Sequence, residues 1–437
     1  MTNHRADQSV TRSAAEAVGS ASRSHRVRDA EFRVGLSVSP HATGMFDRRV
    51  VFHDGDRTAR TAHELMELFA ARGGNEVWTR MGTSRVLRYA SPGGGIADGL
   101  LYARLARDLG LPFNPELTLC GVYGDMGLQP EPDLSHYPQI RLRAPWLELT
   151  LEEMADALRQ YGRLAAEEIL GTGCRVNVWD IGNEVEFGVA GVAMPPTVPE
   201  MVPGWTYRAP DSIDPEIGRM DFNRLFTLPH DDQIAWCSTH LWPYTAALLA
   251  AVADGIRSVD PGAQVATHTS SVAAFHPQLL LGFHTAMEAG GFDAAHLGVS
   301  FFPTSTDRVP HAFDVFKHGA TLTSRHLNKP VYVAEWAYPA APASHQGQAW
   351  DHPVEGYPVS PEGQAAFLRD LTDWGAGTGI LSGIRPYGPD FAGEGNWGGM
   401  ALFRLEDTTH AHARPALASF REGLERAGAP GTAPGIN

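Results

Sequence analysis

The sequence lacks the features on which several large classes of protein depend. Only 3 cysteines occur in 437 residues. They are Cys120, Cys174 and Cys237, and no CxxC pair is present, so we expect neither a disulfide framework nor a zinc knuckle. No apolar run approaches the roughly 18 residues of a membrane span. The 19 histidines show no HExxH or facial-triad spacing, which predicts an absence of metal and of any cofactor in the chemistry.

Basic residues are also in the minority. Lys and Arg number 35 against 50 Asp and Glu, which gives a net charge of −15. Such a surface is a poor partner for nucleic acid and for anionic membranes. The first thirty residues contain no apolar stretch typical of a secretory signal, so we expect a cytoplasmic location, or an extracellular one if a signal peptide has been removed. No pattern indicates the oligomeric state.

Apolar material, in contrast, is plentiful at 43% of the residues, enough for a large core. From about Glu31 onward, short β-rich runs alternate with segments of helical period, close to eight times in all. This predicts an α/β fold, a single (β/α)8 TIM barrel over residues 26–428, with tails at 1–25 and 429–437. The predicted strands are Phe32–Ser39, Glu76–Met81, Glu116–Leu119, Val176–Ile181, Gln264–His268, Leu297–Phe302, Val331–Ala334 and Ile380–Arg385.

Three helices have recognisable boundaries. A capping box of Thr150 with Glu153 predicts a helix that runs to Leu170. A second helix is predicted to begin at Pro361 and to end at Gly375. A third is predicted over His240–Ile256.

Two connections are too long for plain turns: Val185–Gln233 after strand 4 and Tyr338–Ser360 after strand 7. In a parallel barrel the loops that follow strands build the site, so we expect long binding loops there. The first of them contains Trp205, Tyr207 and several prolines, and we expect it to roof the cleft.

Two carboxyl side chains stand at the ends of opposite strands. Strand 4 ends in Gly182-Asn183-Glu184 and strand 7 ends at Glu335. Two carboxyls that converge at a barrel mouth suit glycoside hydrolysis, in which one protonates the leaving oxygen and the other attacks or activates water. Asn183 beside the acid can hydrogen-bond a sugar 2-hydroxyl. The plainer alternative is that each Glu pairs with a cation or caps a loop.

These residues resemble the arabinogalactan endo-β-1,4-galactanases of glycoside hydrolase family 53, within the clan A of retaining (β/α)8 glycosidases. The resemblance spans roughly Phe32 to Phe403. It is carried by Gly35-Leu36-Ser37, Gly74-Asn75-Glu76-Val77-Trp78-Thr79-Arg80, Asp180-Ile181-Gly182-Asn183-Glu184, Gly298-Val299-Ser300-Phe301-Phe302-Pro303, Lys329-Pro330-Val331-Tyr332-Val333-Ala334-Glu335, Tyr357-Pro358-Val359-Ser360-Pro361-Glu362-Gly363-Gln364-Ala365 and Ala401-Leu402-Phe403.

The resemblance implies a retaining hydrolase that acts on a β-linked galactan or a related plant-type oligosaccharide by double displacement. By position, it implies that Glu184 is the general acid/base, Glu335 the nucleophile and Asn183 the 2-hydroxyl partner. It also implies that Arg80 is a charge neighbour of the nucleophile, with Arg88 a weaker candidate. An ordinary ion pair at the barrel mouth is the alternative for Arg80.

Several positions depart from what such a galactanase shows. Ser37 stands near an expected Asp, 120–125 lacks a Trp-bearing segment, and Phe301-Phe302 replaces a Tyr that contacts the nucleophile. Strand 8 has Ile384-Arg385-Pro386 in place of Trp-Glu-Pro, so a stacking platform is missing or relocated and we expect weak action on polymeric galactan.

Further contacts to substrate are predicted with an alternative for each. Arg385 either supplies a cation to an acidic substrate or pairs with Asp390 or Glu394. His268 either touches substrate or is satisfied by its neighbours. Aromatic rings suitable for stacking on a sugar, each with core packing as the alternative, are Trp205, Tyr207, Trp336, Tyr338, Tyr387 and Trp397.

Two other functions remain open at this point. One is a clan A exo-β-glycosidase of different sugar specificity. The other is a non-catalytic sugar-binding barrel, although the presence of both Glu184 and Glu335 speaks against a decayed site.

Overall fold

The computed structural model describes residues 31–85, 94–197, 205–345, 347–393 and 395–428. The predicted tails at 1–25 and 429–437 lie outside the described residues, as do Arg88, Pro203 and Glu394. Residues from Phe32 onward form one compact unit.

Eight parallel strands form one sheet, in which neighbours in space are neighbours in the chain. The order runs β1-β8-β7-β6-β5-β4-β3-β2. This is the arrangement of a (β/α)8 barrel, so the predicted fold class is confirmed. The strands are β1 (Arg33–Val34), β2 (Val77–Met81), β3 (Phe113–Leu117), β4 (Trp179–Ile181), β5 (Val265–Thr269), β6 (His296–Phe301), β7 (Val331–Trp336) and β8 (Leu381–Pro386).

A side chain closes the ring between β1 and β2. The Asn75 backbone N–H donates to the Val34 oxygen at 3.0 Å, and the Asn75 Oδ1 accepts from the Val34 N–H at 2.7 Å. Its Nδ2 donates to the Phe32 oxygen at 2.9 Å. The amide therefore replaces ladder bonds where β1 is short.

Helices follow the strands and cover the outside of the barrel. The Thr150 capping box is present as predicted, with mutual hydrogen bonds between Thr150 and Glu153. The helices are α1 (Pro40–Asp47), α2 (Ala62–Ala71), α3 (Ile96–Asp108), α4 (Leu151–Leu170), α5 (Phe222–Thr227), α6 (His230–His240), α7 (Trp242–Arg257), α8 (Ser271–Phe275), α9 (Pro277–Ala289), α10 (Ala312–Leu327), α11 (Pro361–Thr378) and α12 (Ser419–Arg426).

Two helix boundaries differ from the prediction. The helix predicted over His240–Ile256 is observed as α7, Trp242–Arg257. His240 instead ends α6, because Pro243 in the first turn of α7 starts a new helix. Helix α11 continues past Gly375 and ends at Gly379, whose φ of 69° provides the left-handed end. A Cβ at Gly375 would lie 2.9 Å from Leu381, so this glycine serves close packing.

Strand β3 begins earlier than predicted. It contains Pro115, a residue that usually argues against the interior of a sheet because it donates no ladder bond. Here Pro115 pairs with Thr79 of β2 and leaves Glu116 within the strand. The shift places the Glu116 side chain inside the barrel, where it is fully buried.

Additional short strands lie in the connections that follow the barrel strands. A four-stranded sheet joins the segment after β1 to the chain after β8, and two hairpins lie in the long connections after β4 and β7. The strands of the sheet are Phe403–Leu405, His410–Ala413, Val51–Asp54 and Arg57–Ala59, and those of the hairpins are Gly188–Val189, Val192–Ala193, Ser344–His345 and Gln348–Ala349.

The apolar core lies mainly between the barrel and its helices. The barrel interior is more polar, since Arg80, Glu116, Asp180, His268 and Arg385 are all buried there. None of the helices in the described ranges has the length and apolar composition needed to cross a membrane.

Candidate active site

Glu184 stands at the end of β4 in an unusual backbone conformation. Its φ is 52°, and Gly182 two residues earlier has a φ of 86°. A left-handed backbone is costly for a residue with a side chain and persists where the surroundings hold it. The turn leaves Glu184 9% exposed, with its carboxyl at the barrel mouth.

Glu335 is placed by an irregularity in β7. Val299 of β6 pairs with Val333, whereas the next residue, Ser300, pairs with Glu335, so Ala334 is the extra residue of a bulge. Bulges re-aim side chains and are frequent beside active sites. Glu335 is 3% exposed.

Arg80 connects the nucleophile candidate to the barrel interior. Its Nη2 donates to Glu335 and lies 3.3 Å from Asn183 Oδ1, and its Nε donates to Glu116 at 3.0 Å. Arg80 is 6% exposed. One buried cation is therefore shared by two carboxylates, those of Glu335 and Glu116.

A second layer of charges lies below. His268 Nδ1 is 3.1 Å from Asp180 Oδ2, and its Nε2 is 2.9 Å from Asn183 Oδ1. Burial alone would lower the pKa of His268, but the carboxylate of Asp180 outweighs it and raises that pKa to about 9. Arg385 forms ion pairs with Asp180 and with Glu116. Both ring nitrogens of His268 therefore have hydrogen-bond partners.

These contacts correct two predictions. His268 is fully buried and Arg385 is 1% exposed, so neither side chain presents an exposed group to substrate. Arg385 pairs with Asp180 and Glu116 rather than acting as a free cation in the cleft. A buried cation requires such carboxylates.

Glu184 has surroundings of the opposite charge to those of Glu335. Burial, then the nearby carboxyls of Glu335, Asp125 and Glu186, raise the pKa of Glu184 to about 8. The hydrogen bond found for its carboxyl comes from the Met126 N–H, at 3.3 Å from Oε2. A carboxyl with a raised pKa in such a place can hold and deliver a proton at neutral pH.

A cluster of metal-ligating types occurs in the described part of the chain at Glu116, Asp180 and His268. The carboxylates of this cluster already pair with Arg80 and Arg385. The cluster is therefore an ion-pair network with two guanidinium groups. Their positive charge beside the donor atoms makes it unsuitable as a metal site.

Two of the six predicted stacking rings, Trp336 and Tyr338, lie in the apolar core. Trp336 is 1% exposed and packs against Phe367 and Phe420 outside the barrel, because the residue after Glu335 points to the helices. Tyr338 is also 1% exposed, stacks on Phe367 at 4.5 Å and donates its hydroxyl to a backbone oxygen. Neither ring has a face for a sugar.

Trp397 does lie among rings at the barrel mouth. It is half-buried and lies 5.2 Å from Tyr387 and 5.6 Å from Trp350, centroid to centroid. Tyr387 in turn lies beneath the Arg80 guanidinium, at 5.5 Å. An aromatic wall, which we define as Tyr387, Trp350 and Trp397, therefore stands beside the nucleophile candidate.

The predicted roof loop begins beside the acid. Thr197 donates to the Gly127 oxygen at 2.9 Å, one residue from Met126. Tyr207 anchors the loop through its hydroxyl to the Ala193 oxygen at 2.9 Å. The start of this loop lies at the same end of the barrel as Glu184.

Sequence reasoning missed several members of the site. Asp180 is two residues before Gly182 on a strand, and the alternation of faces alone signals that it points inward. Glu116 was not identified as a site residue because Pro115 before it argued against a strand that continues through both residues. Asp125 and Gln129 reach the site from the loop after β3, and no local sequence signal identifies them. Tyr387 is among the predicted stacking rings, but its position beneath the Arg80 guanidinium depends on the fold.

Comparison with known proteins agrees with the barrel fold. The model of the family described as Glycosyl hydrolase family 53 matches residues 221–381. The structure is similar to an Ignisphaera aggregans GH53 catalytic domain, with a TM-score of 0.64, 18% identity and coverage of 90% of this chain and 96% of that one. A fungal β-1,4-galactanase gives a TM-score of 0.63 at 18% identity, over 90% and 99%. No curated protein sequence matches the chain.

The barrel fold and the match to the family model over residues 221–381 support the class of glycoside hydrolases. The match agrees with the resemblance to family 53 in that part of the chain. At 18% identity, the solved structures show a shared fold.

Proposed function

We propose that this chain is a retaining β-glycoside hydrolase that acts by double displacement on β-linked galactan oligosaccharides or a related plant-type substrate. Glu335 attacks the anomeric carbon while Glu184 protonates the leaving oxygen. Glu184 then takes a proton from the water that releases the sugar. The reaction needs one ionised and one protonated carboxyl at the same pH.

The observation that carries the proposal is the difference between the two carboxyls. Glu335 touches the Arg80 guanidinium, whereas Glu184 faces other carboxyls and its pKa is raised to about 8. Environments that push two carboxyls apart in this way separate the nucleophile from the acid. Asn183, the expected 2-hydroxyl partner, is fully buried, with its Oδ1 engaged by His268 and one Nδ2 hydrogen donated to the Gly124 oxygen. By the criterion applied to His268 and Arg385, its amide presents no exposed group to a sugar.

The sugar specificity is expected to differ from that of a typical endo-galactanase. The aromatic wall comes from the ends of loops after β7 and β8, while Arg385 is engaged below. A relocated platform favours short β-linked oligosaccharides over polymeric galactan. Because Arg385 is neutralised, an acidic substrate is no longer favoured.

The stereochemistry of the first product tests the proposal. Proton NMR during hydrolysis of an aryl β-galactoside should show the β-anomer before mutarotation, since two inversions restore the configuration. Retention also requires the carboxyl groups to lie about 5–5.5 Å apart. First appearance of the α-anomer would contradict double displacement. A panel of β-glycosides, with short galacto-oligosaccharides and long galactan, separates a galactan-type enzyme from an exo-acting relative.

A further inference from the structure

The segment after β3 forms a tight turn against the end of β4. The Asp125 N–H donates to the Leu128 oxygen at 2.9 Å, and the Leu128 N–H returns a bond to the Asp125 oxygen at 3.0 Å. We call residues 124–129 the clamp turn. Its backbone is rigid because both ends of the turn are bonded to each other.

Two backbone groups of the clamp turn form hydrogen bonds with the side chains of Asn183 and Glu184. The Gly124 oxygen accepts a hydrogen bond from Asn183 Nδ2 at 2.6 Å. The Met126 N–H donates to Glu184 Oε2 at 3.3 Å. The position of this turn therefore sets the orientation of both side chains.

One side chain attaches the clamp turn to β4. Gln129 Nε2 donates to the Asn183 backbone oxygen at 2.7 Å and to the Asp125 oxygen at 2.9 Å. Its Oε1 lies 3.5 Å from the Cys120 thiol. Gln129 is 4% exposed, so both of its N–H donors are used inside the protein.

The place of attachment has a mechanical consequence. The carbonyl that Gln129 holds belongs to Asn183, which lies between Gly182 and Glu184, the two residues with positive φ. A strained backbone relaxes unless its surroundings over-determine it. Relaxation here would swing the Glu184 carboxyl away from the leaving oxygen, and small misplacements of a catalytic group are expensive.

We infer that Gln129 is a positioning residue for the general acid, holding the clamp turn and the Asn183 carbonyl together so that Glu184 keeps its left-handed conformation. The inference rests on the proposed role of Glu184. Gln129 touches neither substrate nor the reacting atoms. Its loss should impair proton delivery more than it impairs nucleophilic attack.

The chain offers a matched control. Gln364 is fully buried, and its Nε2 also bridges two backbone oxygens, those of Tyr338 at 2.7 Å and Met400 at 3.0 Å. It joins the connections after β7 and β8 and makes no contact with Glu184 or Asn183 among its hydrogen bonds. Gln129→Met and Gln364→Met each remove the same kind of amide bridge with little change of volume.

The test compares leaving groups. For wild type, Gln129→Met, Gln364→Met and Glu184→Ala, kcat/KM is measured on an aryl β-galactoside with a strongly acidic phenol and on one with a weakly acidic phenol. Only the second substrate needs a proton from the acid. We expect Gln129→Met to lose about tenfold more on the weakly acidic substrate than on the other. Gln364→Met should lower Tm and change both rates by one factor.

The outcomes separate the inference from the proposed function. Equal losses on both substrates for Gln129→Met would overturn the positioning role and leave a structural one. If Glu184→Ala itself shows no leaving-group dependence, the proposed function fails instead. Should Gln129→Met not fold, Gln129→Asn keeps an amide but shortens its reach, and the same ratio decides.

Discussion

The two sides of the barrel mouth are held by different means. Glu335 is fixed by charge, through Arg80 and the carboxylate of Glu116 behind it. Glu184 is fixed by backbone, through the Met126 N–H and a left-handed turn. Glu335 therefore contacts a cation. Glu184 accepts from a neutral amide instead, and burial together with the neighbouring carboxyls raises its pKa.

The comparison extends to the sequence. The family match covers 221–381, which includes Glu335 but not Glu184 or the clamp turn. The side of the mouth with Glu335, the proposed nucleophile, therefore lies in the part of the chain that matches the family model. The side with Glu184, the proposed acid, is called the acid side below; it lies outside that match and includes a loop that departs from the family pattern. Differences in specificity and in pH response are most readily sought on the acid side.

The largest loss of activity should come from a change at Glu335, the carboxyl that is held by charge; its side of the mouth is called the charge-held side. Glu335→Gly removes the attacking carboxylate, and we expect kcat to fall by about 10⁴-fold or more. Added azide should restore part of the rate and give a glycosyl azide of inverted configuration. NMR of that product is the measurement. Near-wild-type turnover without azide would remove Glu335 from the mechanism.

The backbone-held side should respond selectively. Glu184→Ala removes the proton donor, so kcat/KM should fall by about 10²–10⁴-fold on glycosides with weakly acidic leaving groups. Substrates with strongly acidic leaving groups should be spared in the first step. Steady-state kinetics on both substrates check this, and a uniform loss would contradict the assignment of Glu184 as acid.

Much of the fold and both carboxyls of the candidate site could be predicted from the sequence. The alternation of strands and helices predicted the barrel, and Gly182-Asn183-Glu184 with Glu335 marked both strand ends. These signals are local, because strand ends and periodicity are written in consecutive residues. The prediction of β7 nevertheless stopped at Ala334, since a bulge depends on the pairing of Ser300 with Glu335 across strands.

The supporting residues could not be found in the same way. Arg385 pairs with Asp180 across 205 positions, so sequence proximity suggested Asp390 as its partner. Trp336 and Trp397 are the same residue type, and only the fold decides that one faces helices and the other the mouth. Burial of a charge or a ring is a tertiary property that single positions do not carry.

Arg385, the buried cation in the barrel interior, should contribute to stability. Arg385→Met would leave the carboxylates of Asp180 and Glu116 without this partner, and we expect a loss of about 3–5 kcal/mol in the free energy of unfolding. As a control, Arg143→Met removes an exposed pair with Glu153 and should change the free energy of unfolding far less, because solvent screens an exposed pair. Denaturant unfolding measures both.

The same variant tests the rejected role in specificity. If Arg385 does not face substrate, the ratio of kcat/KM between a uronic-acid-bearing and a neutral β-glycoside should be unchanged in Arg385→Met. A selective loss on the acidic substrate would return Arg385 to the cleft.

The pH profile should report the acid side. Glu184 must carry its proton for the first step, and its pKa is raised to about 8, so kcat/KM should fall as the pH rises through about 8. Asp125→Asn removes a neighbouring negative charge, which makes ionisation of Glu184 easier and should move this limb to lower pH. A limb that stays in place would show that Asp125 does not act on Glu184.

The smallest effect is expected at the aromatic wall, next to the charge-held side. Trp397 is half-buried beside Tyr387 and Trp350, and loss of one stacking ring costs about 1 kcal/mol, or roughly fivefold in binding. Trp397→Ala should therefore raise KM for galacto-oligosaccharides by about that factor while KM for an aryl monosaccharide changes less. Trp336→Phe is the control, since that ring packs in the core and its loss should lower Tm without altering the ratio of the two KM values. An unchanged ratio in Trp397→Ala would mean that substrate binds away from this wall, because a ring in contact with a sugar cannot be removed without weakening the longer ligand.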